Sequence, residues 1–365
     1  MSEMEFERSR SISNPSSQSI HRSTQAAPRT DVAAGAARPV SQMDEAVREF
    51  EEDNVSRAPA ADPNVINVLM RNAAVLMDAK EHRLAVNILR NIVMRSPDDK
   101  NALRRMGLCY REEGRFEDAL KCFRGLAKAG GGVDAQILIA ETLYLGERDE
   151  MALGAYREVM RHPIEDVTRL FEVYKNVGNI HVRAGDFESA EEHYNRAYNL
   201  NPESDVLMVN YGTLEIQREN LGDAVHRFRR AVEINPNNDK GWVGLAIVHR
   251  QMGDHELAWA NVLRALDINQ GNRTAIRLVV DWAVADHSFS VAIDRMQEYL
   301  AIENEDAEMS FTLAKILTHV GRISEARLEM ERVLALDPAT EGAEPLKKAL
   351  DRELARIQQP SQEPG

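Results

Sequence analysis

An alanine recurs in this chain at positions 85, 119, 152, 190, 224, 258, 292 and 326, with successive gaps of 34, 33, 38, 34, 34, 34 and 34 residues. Twelve residues before each stands a small or β-branched residue: Ala73, Gly107, Ala140, Gly178, Gly212, Ala246, Val280 and Ala314. Four residues after each stands a bulky one: Leu89, Phe123, Tyr156, Tyr194, Phe228, Val262, Met296 and Met330. A period near 34 marks an array of stacked supersecondary units. The small residue and the alanine let two antiparallel helices approach closely, and the bulky residue is expected to fill the gap against the next pair. Gly114, Gly185, Gly253 and Gly321 fall between the two helices of a unit, where a helix end favours glycine in a left-handed turn. Pro97, Pro202, Pro236 and Pro338 close four units, because proline cannot continue a helix. No segment alternates apolar and polar residues with period two over a sustained stretch, so the expected class is all-α with no sheet.

The array begins after Pro63. Residues 1–62 are rich in Ser, Ala, Arg and Pro and nearly free of large apolar groups. Such a segment buries too little surface to offset its ordering entropy, and it is expected to be disordered. One piece of it, "MDEAVREFEED" within 43–55, differs: Met43, Ala46, Val47 and Phe50 form a helical stripe on an acidic background. It reads either as a transient solvated helix or as a helix that docks into a groove, on a partner or back on this chain. At the other end, "PLKKALDRELARIQ" carries the stripe Leu346, Leu350, Leu354 and Ile357, and Pro345 suits a first helical position. It is expected to cap the array.

Composition narrows the function. The net charge of -14 disfavours a general nucleic-acid or anionic-membrane binder, which needs a positive field. Aromatic residues make up only 5%, in keeping with many small similar contacts. No run approaches the ~18 apolar residues of a membrane span, and no targeting signal is visible. The two cysteines, Cys109 and Cys122, lack metal or redox spacing and fit a reducing, cytoplasmic setting. No phosphate-cradling glycine loop, nucleophile elbow, H-E-x-x-H or paired-cysteine motif occurs, and the ten histidines are scattered. No enzyme activity, metal or cofactor is expected. His181 and His249 are read as half-buried packing residues.

The in-phase alanines, the glycine turns and the closing prolines resemble the tetratricopeptide repeat family over about residues 66–340. The resemblance implies a right-handed α-solenoid of about eight helix–turn–helix units, a C-terminal capping helix and a disordered N-terminal tail. Expected divisions are 1–62, units one to three at 63–166, units four to eight at 167–340, and 341–365. The third unit departs from the pattern, with "AGGGV" (129–133) before it and four extra residues around "RHPIEDVTRL" (161–170) after it. An irregularity or hinge is therefore expected within 129–170.

The resemblance also implies that the first helix of each unit lines an inner, concave face. In the second unit this places Arg104, Arg105, Leu108 and Arg111 there, and in the third Ile137, Leu138, Glu141 and Tyr144. The fourth contributes Lys175, Asn176, Asn179 and Arg183, and the fifth Val209, Asn210, Thr213 and Gln217. The sixth contributes Lys240, Val243, Ile247, Arg250 and Gln251, and the seventh Arg277, Leu278 and Asp281. Amides hydrogen-bond the backbone of an extended peptide, and Lys and Arg take carboxylates. The bland alternative is that these are ordinary solvated side chains. Chaperone-binding family members hold a terminal carboxylate with a Lys and an Asn on one first helix, an Asn on the next, and a Lys and an Arg on the third. "KNVGN" resembles the first element through Lys175 and Asn179, "MVNYG" places Asn210, and "DKGWVGLA" places Lys240. The arginine position is Gly244, which departs from the pattern, and Arg250 further along the helix is the candidate substitute.

The leading expectation is a non-catalytic scaffold or adaptor that binds protein or peptide partners in its groove. A chaperone for secretion-apparatus or assembly subunits and a self-assembling structural protein are the alternatives.

Overall fold

The computed structural model describes residues 63–358, in which the chain forms seventeen α-helices and no strand. The tail 1–62, its segment 43–55 and that segment's expected docking lie outside the described residues. Sixteen helices form eight pairs: α1 (Pro63–Asp78) with α2 (His82–Arg95), α3 (Lys100–Glu112) with α4 (Phe116–Lys128), α5 (Gly132–Leu145) with α6 (Asp149–Val159), and α7 (Val167–Ala184) with α8 (Phe187–Leu200). Then follow α9 (Asp205–Gln217) with α10 (Leu221–Ile234), α11 (Asp239–Gln251) with α12 (His255–Ile268), α13 (Arg273–Asp286) with α14 (Phe289–Ile302), and α15 (Ala307–His319) with α16 (Ile323–Leu336). The last helix, α17 (Ala343–Gln358), packs on α16. Each helix packs on the next in chain order, and the first helices α5, α7, α9 and α11 also meet one another, which builds the solenoid.

The recurrent bulky residues pack against the next pair, as Tyr156 does on Asn176 and Tyr194 on Tyr211, and also within their own unit. The bulky residue lies on the small residue of its own unit, sixteen positions earlier. A Cβ on Gly107 would come within 2.4 Å of the Phe123 ring, one on Gly178 within 2.4 Å of Tyr194, and one on Gly212 within 2.6 Å of Phe228. Phe228 does reach the next unit as well, where a Cβ on Gly244 would stand 2.2 Å away. All eight periodic alanines are fully buried.

The turns between paired helices adopt a left-handed residue in every unit. Gly114, Gly185, Gly253 and Gly321 have φ of 71°, 75°, 84° and 79°. In the other four units the same position holds Lys80, Glu147, Glu219 and His287, at φ between 56° and 61°. A left-handed conformation costs a non-glycine residue about 1 kcal/mol, so the repeat geometry imposes the turn even where the residue does not favour it.

Four-residue links join most units, as at 201–204 and 235–238. The irregular third unit enters by a three-residue link, 129–131, and leaves by a seven-residue one, 160–166. α7 has 18 residues where α9 has 13, and its surplus is an extra N-terminal turn. Apolar packing is continuous across this join: Val173, Val177 and Ile180 of α7 share one core with Ile137, Leu143, Tyr156 and Val159 of unit three.

Units five to seven are further clasped by a polar device. Asn238 accepts the Gly241 amide as the N-cap of α11 while its side-chain nitrogen donates to Asp205 at 2.9 Å, and Asn235 donates to the same carboxylate at 2.7 Å. Asn272 and Asn269 repeat the arrangement on Asp239, at 2.8 and 2.7 Å.

At the C-terminus, α17 starts at Ala343, so Pro345 is its third residue and not its first. The first turn tolerates proline because its amides have no intrahelical partner. Leu350 is buried, whereas Ile357 at the end of the expected stripe is 62% exposed.

Candidate functional site

The candidate site is the row of side chains on the first helices α3, α5, α7, α9, α11, α13 and α15. Its first half is bound up in contacts between units. Arg104 of α3 and Arg169, on the extra turn of α7, both donate to Asp134 of α5, so one carboxylate joins three units. Burial and then the adjacent Arg169 charge lower the basicity of Arg104. Arg111 donates to Glu141 at 2.9 Å. Lys175 donates to Glu172 at 2.5 Å and lies over the Phe171 ring at 5.7 Å. Arg183 grips Asp149 with two bonds, of 2.8 and 2.5 Å, and covers the Tyr144 ring at 4.7 Å.

The asparagines expected to read a peptide backbone are similarly engaged. Asn176 is 7% exposed and donates to the Tyr156 hydroxyl at 3.1 Å, a place inside the packing between units three and four. Asn179 donates to Tyr144 at 2.8 Å, and its carbonyl accepts from Tyr194 at 2.7 Å and from Asn210 at 2.8 Å. These bonds use the Asn179 oxygen twice and one amide proton of each asparagine. Arg105 is half-buried and makes no hydrogen bond or ion pair among the described residues.

The second half is more open. Gln217, Lys240 and Gln251 are exposed, and their side chains make no hydrogen bond or ion pair among the described residues. Val206 is 47% exposed, and Val209, Ile247, Leu278 and Phe311 are partly exposed. Arg250 is not free to stand in for a clamp arginine. It grips Asp286 with bonds of 2.8 and 2.9 Å and lies over the Trp282 ring at 5.2 Å, while Trp259 donates to the same carboxylate at 2.9 Å. The Arg250 and Trp259 hydrogen bonds hold Asp286 well below the usual carboxylate range, at about 2. Gly244 has no room for any side chain, because its Cα faces the buried Phe228 ring. Arg277 donates to Glu308 at 2.6 Å.

Lys315 of α15 was not among the expected groove residues. It follows Ala314 as Asn179 follows Gly178, so the same unit-to-unit phase points to it. Its ammonium lies 4.8 Å from the centre of the Phe311 ring. Elsewhere, His181 is half-buried with Nδ1 3.1 Å from Asp186, and its ring stacks on His193 at 5.4 Å. His249 is half-buried with Nδ1 3.9 Å from Asp254. No cluster of His, Cys, Asp or Glu among the described residues has the arrangement to hold a metal ion. No described helix is long and apolar enough to cross a membrane.

Comparison with known proteins agrees with this architecture. Models of the tetratricopeptide repeat match residues 71–133, 106–161 and 209–273, and another model of the same repeat matches 171–204, together more than half of the chain. Yeast Tom70 superposes with a TM-score of 0.61 at 12% identity, covering 90% of this chain and 77% of that one. PilW, a widely conserved type IV pilus biogenesis factor, superposes at 0.52 with 15% identity over 60% of this chain and 99% of its own. The Cut9–Hcn1 hetero-tetramer of APC/C gives 0.46 at 17% identity over 76% of this chain, which spans 48% of that chain's length. At these identities the likeness is one of fold. No curated protein matches this chain.

Proposed function

The chain belongs to the tetratricopeptide repeat family, and from that premise we propose that it is a non-catalytic scaffold holding protein partners along its first helices, chiefly those of units five to eight. The observation that carries the proposal is the open stretch formed by Gln217, Lys240 and Gln251 beside the partly exposed Val206, Val209 and Ile247. Exposed amides supply donors and acceptors to an extended backbone, and the apolar groups bury side chains of the same segment. Of the clamp-like set, Lys240 remains available. Lys175, Asn179 and Asn210 contribute by shaping the wall, and Gly244 denies the site the arginine that a carboxylate clamp uses. A cytoplasmic location is part of the proposal, supported by two buried cysteine thiols that are not joined in a disulfide.

The test is affinity capture with the intact chain and with a Gln217→Ala, Lys240→Ala, Gln251→Ala variant, with Leu257→Ala on a second helix as control. Partners retained by the control and lost by the triple variant support the groove. The same partners captured by all three proteins would sink it. The chaperone alternative draws on the exposed and half-exposed Val206, Val209, Ile247, Leu278 and Phe311. It predicts that unfolded apolar clients outcompete folded or acidic ones.

A further inference from the structure

Helices α11, α13 and α15 carry Lys, Arg, Asp and Glu residues that nearly all have partners. Arg250 holds Asp286, Arg277 and Arg273 hold Glu308, and Asp239 accepts from Asn269 and Asn272. Three charged side chains on these helices make neither an ion pair nor a hydrogen bond among the described residues: Lys240, Asp281 and Lys315. They stand on three consecutive first helices, and their signs alternate. All three are open to water. Asp281 feels Arg277 one turn earlier, but that guanidinium is bonded to Glu308. Lys315 rests on the Phe311 ring with no carboxylate in reach of an ion pair.

Crowding by neighbouring groups disfavours the charged form of the last two. Burial raises the Asp281 carboxyl above its ordinary value, with Arg277 opposing, and burial lowers the Lys315 ammonium, with Glu308 opposing. With their tips in water these charges cost little alone, and a counter-charge on a partner would add a charge-assisted contact. On α3, α5 and α7 the charges of Arg104, Arg111 and Arg183 are met by neighbouring units, while Arg105 is not.

We infer that units six to eight recognise an extended segment of a partner protein that carries an acidic, a basic and an acidic side chain in that order, set against Lys240, Asp281 and Lys315. This inference rests on the groove reading above and adds a charge pattern to it. The spacing follows from helix geometry. Successive first helices stand at least about one helix diameter, about 10 Å, apart, and an extended chain advances about 3.3 Å per residue. Asp281 and Lys315 occupy the same phase of successive units, which corresponds to at least about three residues of extended chain. Lys240 stands seven residues earlier in its unit's phase, about 10 Å along the helix axis, so the step from Lys240 to Asp281 is diagonal and spans at least about four residues. Phe311, Leu278 and Ile247 are partly exposed on the same three helices and offer apolar contact to the intervening side chains.

The experiment uses the full chain and end-blocked fluorescent peptides bearing Glu, Lys and Glu at these two spacings, made in both chain directions. The probes for comparison are the charge-inverted Lys-Glu-Lys peptides and uncharged ones. Anisotropy titration at low salt is expected to show the Glu-Lys-Glu pattern in one direction binding at least about tenfold tighter than its inverse. The variant Lys240→Glu, Asp281→Lys, Lys315→Glu is expected to reverse that preference. Lys240→Gln with Lys315→Gln, a milder pair, is expected to abolish it while circular dichroism and the melting temperature stay unchanged. Equal affinity for both patterns overturns the charge inference and leaves the groove reading standing, because all peptides then bind through Ile247 and the amides. Failure of every peptide to bind the wild-type chain overturns the inference too, while partner capture by the intact protein still judges the groove reading separately.

Discussion

The first helices of units two to four and those of units six to eight carry similar residues and use them for different ends. On α3, α5 and α7 most of the arginines and the asparagines are joined across units: Arg104 and Arg169 to Asp134, Arg111 to Glu141, Arg183 to Asp149, Asn179 to Tyr144 and Asn210, while Lys175 pairs with Glu172 on its own helix. On α11, α13 and α15 comparable latches exist at Arg250 and Arg277, yet Lys240, Asp281 and Lys315 are left over. A cationic groove residue is therefore informative about ligands only after its own carboxylate has been sought. The first region uses most of its charges in contacts around the irregular third unit, and the second leaves Lys240, Asp281 and Lys315 without an ion pair among the described residues.

The contrast can be broken most forcefully at Gly244. Gly244→Arg restores the residue type of a carboxylate clamp and drives its Cβ into Phe228, so the expected outcome is a loss of about 2–3 kcal/mol in denaturant unfolding with no gain in binding of peptides ending in a free carboxylate. Tighter binding without destabilisation would show that the glycine is not a packing requirement.

Next in size is Asp134→Ala, which removes the carboxylate shared by two half-exposed guanidiniums across three units and leaves Arg169 only Asp166. A loss of about 1–2 kcal/mol is expected, against less than about 0.5 kcal/mol for Asp281→Ala, which has no ion pair to lose. Equal losses would erase the distinction between the two regions.

The latch at Asp286 gives a pH signature. Its folded carboxyl titrates at about 2, below the ordinary carboxylate value, so the folded state binds this proton more weakly than the unfolded chain does. The stabilisation is complete above about pH 4 and is lost as pH falls from there through about 2, by about 1 kcal/mol once solvent contact is allowed for. Trp259 and Trp282 border the site and report its opening by fluorescence. Arg250→Ala is expected to flatten this acid limb, and an unchanged limb would refute the latch.

The smallest effect lies in the turns. Glu219→Gly relaxes a left-handed residue and is expected to raise stability by about 0.5–1 kcal/mol, while Gly253→Ala at the equivalent place lowers it by a similar amount.

Most of the fold was legible because its cause is local. Helix pairs need a small residue, an alanine and a turn at fixed separations, and Gly178, Ala190 and Gly185 show all three within one short stretch. The turns of units one, three, five and seven were not legible, since Lys80, Glu147, Glu219 and His287 do not signal a left-handed conformation and take it under the pull of the packed helices. The site was read less well. Lys175, Asn179 and Arg183 looked available because their partners, Glu172, Tyr144 and Asp149, become neighbours only through helix phase and unit stacking. Lys315 was overlooked although its place after Ala314 matches that of Asn179 after Gly178. The extra turn of α7 was visible as surplus residues, but not that it would deliver Arg169 to Asp134.

The paired asparagine clasps on Asp205 and Asp239 bear on how this chain yields to force. Asn238 begins α11 and grips the preceding unit with the same side chain, and Asn272 does likewise for α13. A tug that frays the start of one of these helices therefore loosens its predecessor, so units five to seven should let go as a block instead of peeling singly. In a pulling experiment that block would appear as one long extension step. Asn238→Gly, which keeps a serviceable helix start and removes the grip, would divide it into shorter ones.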